Sequence, residues 1–274
     1  MLSSLVVANA PGLPGRAPGK FVEVTQDRRA HDWQAGGITV RFSGCGPRPR
    51  DVEGGTVTIS ARATTPVTFP ADCAITMSTL VGIGPLVHGK YGVVVQRFTG
   101  GNHCCHDVFG LLRDKGRFRK VAFGSFDGVP ADWPKDQTGD GIADFVFRDD
   151  AFLYQFSSYA GSYPPPRIMT IRGRTAIDIS AHPAFHRLFA ADLASVRKAC
   201  VASTADTAGA CAAYAADAAR LGRFAQVWPQ VLKAVDMRIA HPTGCDRPRS
   251  PFAACHTDYA AGLKAFLVKR GYLR

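Results

Sequence analysis

Eight cysteines are spread along the 274 residues, yet no two of them stand in a Cys-x-x-Cys spacing. That absence removes the usual ligand framework of zinc ribbons and the redox motif of thioredoxin-like proteins. Long apolar runs are missing as well. Nothing approaches the ~18–20 consecutive apolar residues of a membrane-spanning helix, so the chain does not read as an integral membrane protein. Nor is there a block of like charge: Lys and Arg number 33 against 22 Asp and Glu, a net charge of +11, but the arginines are scattered. Of the densest basic spots, RFSGCGPRPRD, RDKGRFRK and CDRPRSP, only the second has an aromatic flanked directly on both sides by basic residues. A nucleic-acid surface needs a basic face interleaved with stacking aromatics, so no nucleic acid is expected as partner. A basic surface of this kind suits an envelope component or another anionic partner, or serves solubility alone.

What is present is ordinary in bulk and unusual in detail. Hydrophobic residues make up 46% and charged residues 20%, which is globular usage, and the length suits two domains. An even set of cysteines, Cys45, Cys73, Cys104, Cys105, Cys200, Cys211, Cys245 and Cys255, reads as disulfides formed in an oxidising compartment. The opening LSSLVVANA is a short apolar run closed by Ala8-Asn9-Ala10, the A-x-A pattern of a signal-peptide cleavage site without its basic n-region. Residues 1–20 are therefore expected to be a tail or the remnant of a truncated export signal, and the protein to be periplasmic or secreted.

Composition changes near residue 180, and the expected fold class is α+β. Residues 21–180 are expected to form an antiparallel β domain of blade-like hairpins, and residues 181–274 a small α-helical domain. Before the change, β-rich runs alternate with Gly, Pro and Asp: GGITVRF, GTVTISAR, YGVVVQRF, VFGLLRD, FRKVAFG, DFVFRDD, FLYQFSS, RIMTIRG and TAIDIS. After it, GACAAYAADAARLGRFAQVWPQVLKAVDMRI predicts a helix to about Leu221, a turn at Gly222 and a second helix from about Phe224. TDYAAGLKAFLVKRGY predicts a last helix capped by Thr257 and ending near Gly271. A weak repeat links YGVVVQRF and LLRDKGRFRKVAFG to ADFVFRDD and MTIRGRTAIDIS: strand, loop, strand, Gly-Arg turn, strand. In the helical part, Tyr214, Leu221, Phe224, Val227, Trp228 and Leu232 read as core.

DQTGDGIAD places Asp136, Thr138, Asp140, the Ile142 carbonyl and Asp144 at the alternating positions of a calcium loop, with Gly141 at the sharp turn. Thr138 replaces the usual carboxylate or amide, Phe147 stands where an EF-hand has its bidentate Glu, and the flanks read as strand. Calcium is the cofactor that this loop suggests. The competing account is a metal-free turn whose Asp side chains accept from local backbone N–H groups.

FTGGNHCC, then GSFDG, then DQTGDGIADFVFRDDAFLYQFSSYAGSYPPPRI, between about residues 85 and 180, resemble a family of uncharacterised exported proteobacterial proteins. These carry a Gly-Gly-x-His-Cys-Cys motif ahead of one FG-GAP-like (integrin-type) segment, whose acidic loop is a place for calcium. The resemblance implies an envelope protein of unknown activity and supplies no catalytic residues.

The motif His103-Cys104-Cys105-His106 admits several readings. On a strand, successive side chains point to opposite faces, so four adjacent residues cannot all bind one ion. A cysteine nucleophile would need a free thiolate with His103 or His106 as base, and an oxidising compartment works against it. Disulfides remain. Cys200–Cys211 and Cys245–Cys255 are short closures in the α domain. Adjacent Cα atoms ~3.8 Å apart argue against a vicinal bond. The resemblance carries His-Cys-Cys as a unit and so implies Cys104–Cys105, with Cys45–Cys73 closing a β segment; the other solution bonds Cys104 and Cys105 separately to Cys45 and Cys73. His182 and His186 have helical i, i+4 spacing without the Glu of a zinc hydrolase. His103, His106, Tyr159 and Tyr163 are the residues expected at a binding surface. The leading expectation is a non-enzymatic binding or interaction module, the alternative a cysteine- or metal-dependent hydrolase built on residues 103–106.

Overall fold

The computed structural model describes residues 18–25, 28–46, 54–73, 78–101, 104–201, 207–236 and 259–274. The class is α+β, with hairpins first and helices last, as the change in composition requires. The chain packs as two compact units. One runs to Ala143 and includes Ile171–Ala176; the other comprises Asp144–Thr170 and Ile177–Arg274. The composition change near residue 180 thus falls inside the second unit.

Among the described residues of the first unit nine strands form one sheet: β1 (Phe21–Glu23), β2 (His31–Ala35), β3 (Ile38–Phe42), β4 (Gly55–Ala61), β5 (Thr64–Ala71), β6 (Thr79–Val87), β7 (Lys90–Phe98), β8 (His106–Asp114) and β9 (Arg117–Phe126). Their order is β1-β6-β7-β8-β9-β5-β4-β3-β2, antiparallel except where β5 meets β9. The sheet curls until β2 approaches β6. Alternation explains which face is inside: Ile38, Val40 and Phe42 of β3, Val57 and Ile59 of β4, Val81 and Ile83 of β6, and Val93 and Val95 of β7 point into the concave core. Lys115 and Gly116, both with positive φ, make the tight β8–β9 turn, the geometry that matches strand twist.

Two glycines of β6 are needed for packing. A Cβ at Gly84 would stand 2.7 Å from Trp133 Cζ2, and one at Gly82 would collide with the same indole. The ring also meets Phe21 edge-on, with centroids 5.3 Å apart. Beneath β7, the buried Gln96 clamps Ala131: its Nε2 donates to the Ala131 carbonyl at 2.7 Å and its Oε1 accepts the Ala131 N–H at 2.8 Å.

β10 (Asp144–Arg148), β11 (Pro166–Arg172) and β12 (Thr175–Asp178) form a three-stranded sheet in that order, of which all but Ile171–Ala176 falls in the second unit. The weak repeat is thereby realised as two three-stranded meanders, β7–β8–β9 and β10–β11–β12. FLYQFSS is not the expected strand. Asp149 caps a short 3-10 turn at Asp150–Phe152, and Ser158 and Ser162 hold the following turns through side-chain bonds to the backbone, which divert the segment from sheet pairing.

Among the described residues four helices follow: α1 (His186–Val201), α2 (Thr207–Arg220), α3 (Phe224–Asp236) and α4 (Tyr259–Lys269). Alanine-rich α2 is buried on nearly every side, from Thr207 to Ala218, so it is the central helix of the group. Gly209 admits the Gly161 carbonyl where a Cβ would collide with it. Gly222 ends α2 at φ 68° and Gly271 follows α4 at φ 72°, the left-handed positions that glycine takes at helix ends. Tyr214 and Val227 are buried, while Phe224 and Trp228 stack on each other half-exposed. Thr257, the expected cap of α4, lies outside the described residues, as do Cys245 and Cys255. Among the described residues no helix is long and apolar enough to cross a membrane.

Candidate functional site

The His-Cys-Cys motif forms the turn between β7 and β8. Arg97 pairs with Asp107 and Phe98 with His106, and Thr99 extends the ladder by donating its N–H to the Cys105 carbonyl at 2.8 Å. The Thr99 hydroxyl also donates to that carbonyl, at 3.1 Å, and accepts the Cys105 N–H at 3.2 Å. Cys104 and Cys105 are bonded to each other across a cis peptide, with Cα atoms 3.1 Å apart. The ~3.8 Å separation that argued against this bond belongs to trans peptides only. Cys45–Cys73 and Cys200–Cys211 are the other disulfides among the described residues.

His103 lies outside the described residues. His106 is buried, with its ring 5.1 Å from that of Phe98, and among the described residues its Nδ1 has no hydrogen-bond partner. Burial lowers its pKa, against the raising effects of the Gly128 backbone bond and the Asp127 charge. Strand alternation puts His106 on the opposite face of β8 from Asp107.

That second face carries a groove. Where β5 and β9 part, a cleft of about 300 Å³ opens at the mouth of the curled sheet, lined by Phe69, Arg97, Asp107, Phe109, Lys120 and Ala122 among others. Phe69 and Phe109 meet edge-on with centroids 5.9 Å apart, and Lys120 Nζ lies 4.3 Å from the centre of the Phe109 ring. Arg97 and Asp107 form an ion pair at 3.6 Å. Cys105 is two positions along the chain from Asp107, so the disulfide turn adjoins the end of the groove. Apolar walls with a few charged groups at a barrel mouth are the general form of a small-ligand site.

The acidic loop is organised around Asp136. One carboxylate oxygen accepts the Gly139 N–H at 2.7 Å and the Thr138 hydroxyl at 3.4 Å, and the other accepts the Gly141 N–H at 2.8 Å. The bond from Gly141 is the chief cause that holds the Asp136 pKa below its ordinary value. Asp140 accepts the Ile142 N–H at 2.8 Å. The loop is tied to the β6–β7 hairpin through His88 N–H to the Gly141 carbonyl and Ala143 N–H to the Leu86 carbonyl. Asp144 is buried at the start of β10, whereas Asp136 and Asp140 are exposed. Among the described residues no group of three or more His, Cys, Asp or Glu side chains gathers as a metal site. Tyr163 is exposed, and Tyr159 lies against Tyr154 at 5.6 Å. His182 accepts the Ala184 N–H through Nδ1 at 3.2 Å, a capping role.

Two groups of residues escaped the sequence reading. The groove unites Phe69 with Lys120, residues far apart in the chain, on a face that alternation alone cannot choose. In the helical unit, Asp217 of α2 is wholly buried beside Asp192 of α1, which bonds Arg148 at 2.7 Å. Nearby, the buried Asp149 takes Arg270 at 2.5 Å and the Tyr272 hydroxyl at 3.1 Å.

A family profile described as "sll0997 C-terminal domain" matches residues 189–271. The chain is also 32% identical over 191 residues, 66% of its length, to the "Probable thylakoid lumen protein sll0997" of Synechocystis sp.. It spans 56% of the length of that relative. No solved structure matches it.

Proposed function

We propose that the chain is an exported, disulfide-braced binding module whose ligand sits in the groove between β5 and β9. The observation that carries this reading is the groove itself, with aromatic walls from Phe69 and Phe109 and cations from Lys120 and Arg97. The similarity to a probable thylakoid lumen protein supports work in a compartment beyond a membrane, where disulfides persist. A thiolate mechanism at residues 104–105 has no thiolate to use while the two sulfurs are bonded to each other. Calcium enters this proposal only as a weak occupant of the 136–144 loop, in the ~10⁻⁴–10⁻³ M class, because Asp136 and Asp140 are exposed and few carboxylates face the loop.

The test is a small-fragment screen read by NMR shifts, repeated on Ala122→Trp, which fills the groove. Fragments that move the signals of Phe69, Phe109 and Lys120 in the native protein and not in the variant are expected. Shifts confined to other surfaces, or Cys104 and Cys105 alkylated as free thiols in the native protein, overturn the reading.

A further inference from the structure

The seam beside the groove leaves part of a strand edge open. β5 and β9 run parallel but pair only at Thr65 and Arg117, where the Thr65 N–H donates to the Gly116 carbonyl at 2.9 Å. Beyond that point they separate. Arg117 closes the tight turn opposite Asp114, so its N–H and C=O face β8; by alternation those of Lys120 and Ala122 face the seam. Among the described residues no backbone partner meets Lys120 or Ala122 at this edge. Such groups need partners or water, and an open edge is a template for another strand.

The two sides of the seam differ. On β5, Pro66 and Pro70 supply no N–H. Thr56, opposite Pro70, turns its backbone toward Ser43, donating to Ser43 Oγ at 2.8 Å and accepting the Ser43 N–H at 3.0 Å, so the Pro70 nitrogen faces the seam. The β5 edge is thus blunted by proline, a recognised protection, and β9 has none. Its exposed positions include Arg117 and Lys120, with Arg119 between them. That basic sequence repels a second copy of β9. Arg97 is already paired with Asp107, whereas among the described residues Lys120 meets no carboxylate.

We propose that the groove receives an extended peptide bearing an acidic side chain, which adds as a strand to the β9 edge at Lys120 and Ala122. This rests on the reading of the groove as a ligand site and names its ligand class. Backbone hydrogen bonds supply the affinity, and alternate side chains of the peptide pack against the Phe69–Phe109 pair that lines the groove, with the carboxylate at Lys120. An extended peptide suits this edge because its backbone amides match the exposed N–H and C=O groups of Lys120 and Ala122.

The experiment uses fluorescently labelled, end-blocked Thr-Val-Glu-Val-Thr-Val on the full chain, followed by anisotropy. Controls are the same peptide with Lys for Glu, and one N-methylated at alternate residues in either phase. Ala122→Pro removes the seam donor without touching the β8 ladder. Expected are binding of the Glu peptide, weakening of about tenfold by N-methylation in one phase and by Ala122→Pro, and a preference for the Lys peptide in Lys120→Glu. Binding that ignores both N-methylation phases overturns strand addition and leaves the ligand site standing. Binding of fragments without any peptide does the same. A concentration-dependent dimer abolished by Ala122→Pro shows that a second copy is the occupant and overturns the proposal. A protein whose groove takes neither fragments nor peptides overturns the underlying reading too.

Discussion

The Asp217 carboxyl lies against the Asp192 carboxylate inside the helical unit, and neither Asp217 oxygen receives an N–H or hydroxyl donor among the described residues. Burial first, then the Asp192 charge and a hydrogen bond to it, push the Asp217 pKa up to about 9, while Arg148 acts the other way. Asp217 therefore holds its own proton at neutral pH, while Asp192 bonds Arg148.

The sign follows from linkage. Between the ordinary carboxylate pKa of 3.8 and about 9, the folded chain holds a proton that the unfolded chain has released. Stability contributed by this group is full below the lower value and falls as pH rises, by at most about 1.4 kcal/mol per pH unit. The melting temperature is expected to drop from pH 5 to pH 8, and Asp217→Asn to flatten that drop. Parallel curves for variant and native protein would show that Asp217 carries no such proton.

Gln96→Leu should destabilise the first unit. Leucine fits a buried position but leaves the Ala131 N–H and C=O without the amide that clamps them, a cost of about 1–3 kcal/mol. Denaturant midpoints at unchanged slope measure it, and a midpoint within error of the native protein would refute the clamp.

The Cys200–Cys211 bond joins α1 to the start of α2 across a sequence separation of 11, and both residues are wholly buried. Replacing both by alanine is expected to cost roughly 2–4 kcal/mol, seen as a fall of several degrees in melting temperature. Non-reducing peptide mapping of the native protein should recover Cys200–Cys211, Cys45–Cys73 and linked Cys104–Cys105.

Asp136→Ala deletes the acceptor of Gly139 and Gly141 and should lower the melting temperature whether or not calcium is present. Calorimetry with calcium separates the two roles of the loop. Weak heat that vanishes in Asp140→Ala marks a ligand site; equal melting in calcium and in chelator marks a plain Asp turn.

Much of the architecture was legible along the chain because it rests on short-range rules. Alternation in YGVVVQRF and GTVTISAR, the Lys115-Gly116 turn, and Gly222 between α2 and α3 need only neighbours in sequence to be read. β5 and β6 were missed because Pro66, Pro70, Gly84 and Pro85 disguise them. Their prolines and glycines answer to an open seam and to the Trp133 ring, partners that no local window contains. FLYQFSS went the other way: its pattern suits a strand, but the Asp149 and serine side chains capture the backbone first.

The cysteines show the same division. Their even number and the lack of Cys-x-x-Cys suffice to read disulfides, since that is chemistry of composition and compartment. Which sulfurs meet was left open, and only the β7–β8 turn, with Thr99 bonded to Cys105, brings Cys104 to Cys105 and leaves Cys45 for Cys73. The groove belongs wholly to tertiary structure. Phe69, Phe109 and Lys120 share a surface because the sheet curls and β5 leaves β9 after one pair, and the choice between two faces of a strand is made by what the rest of the sheet buries.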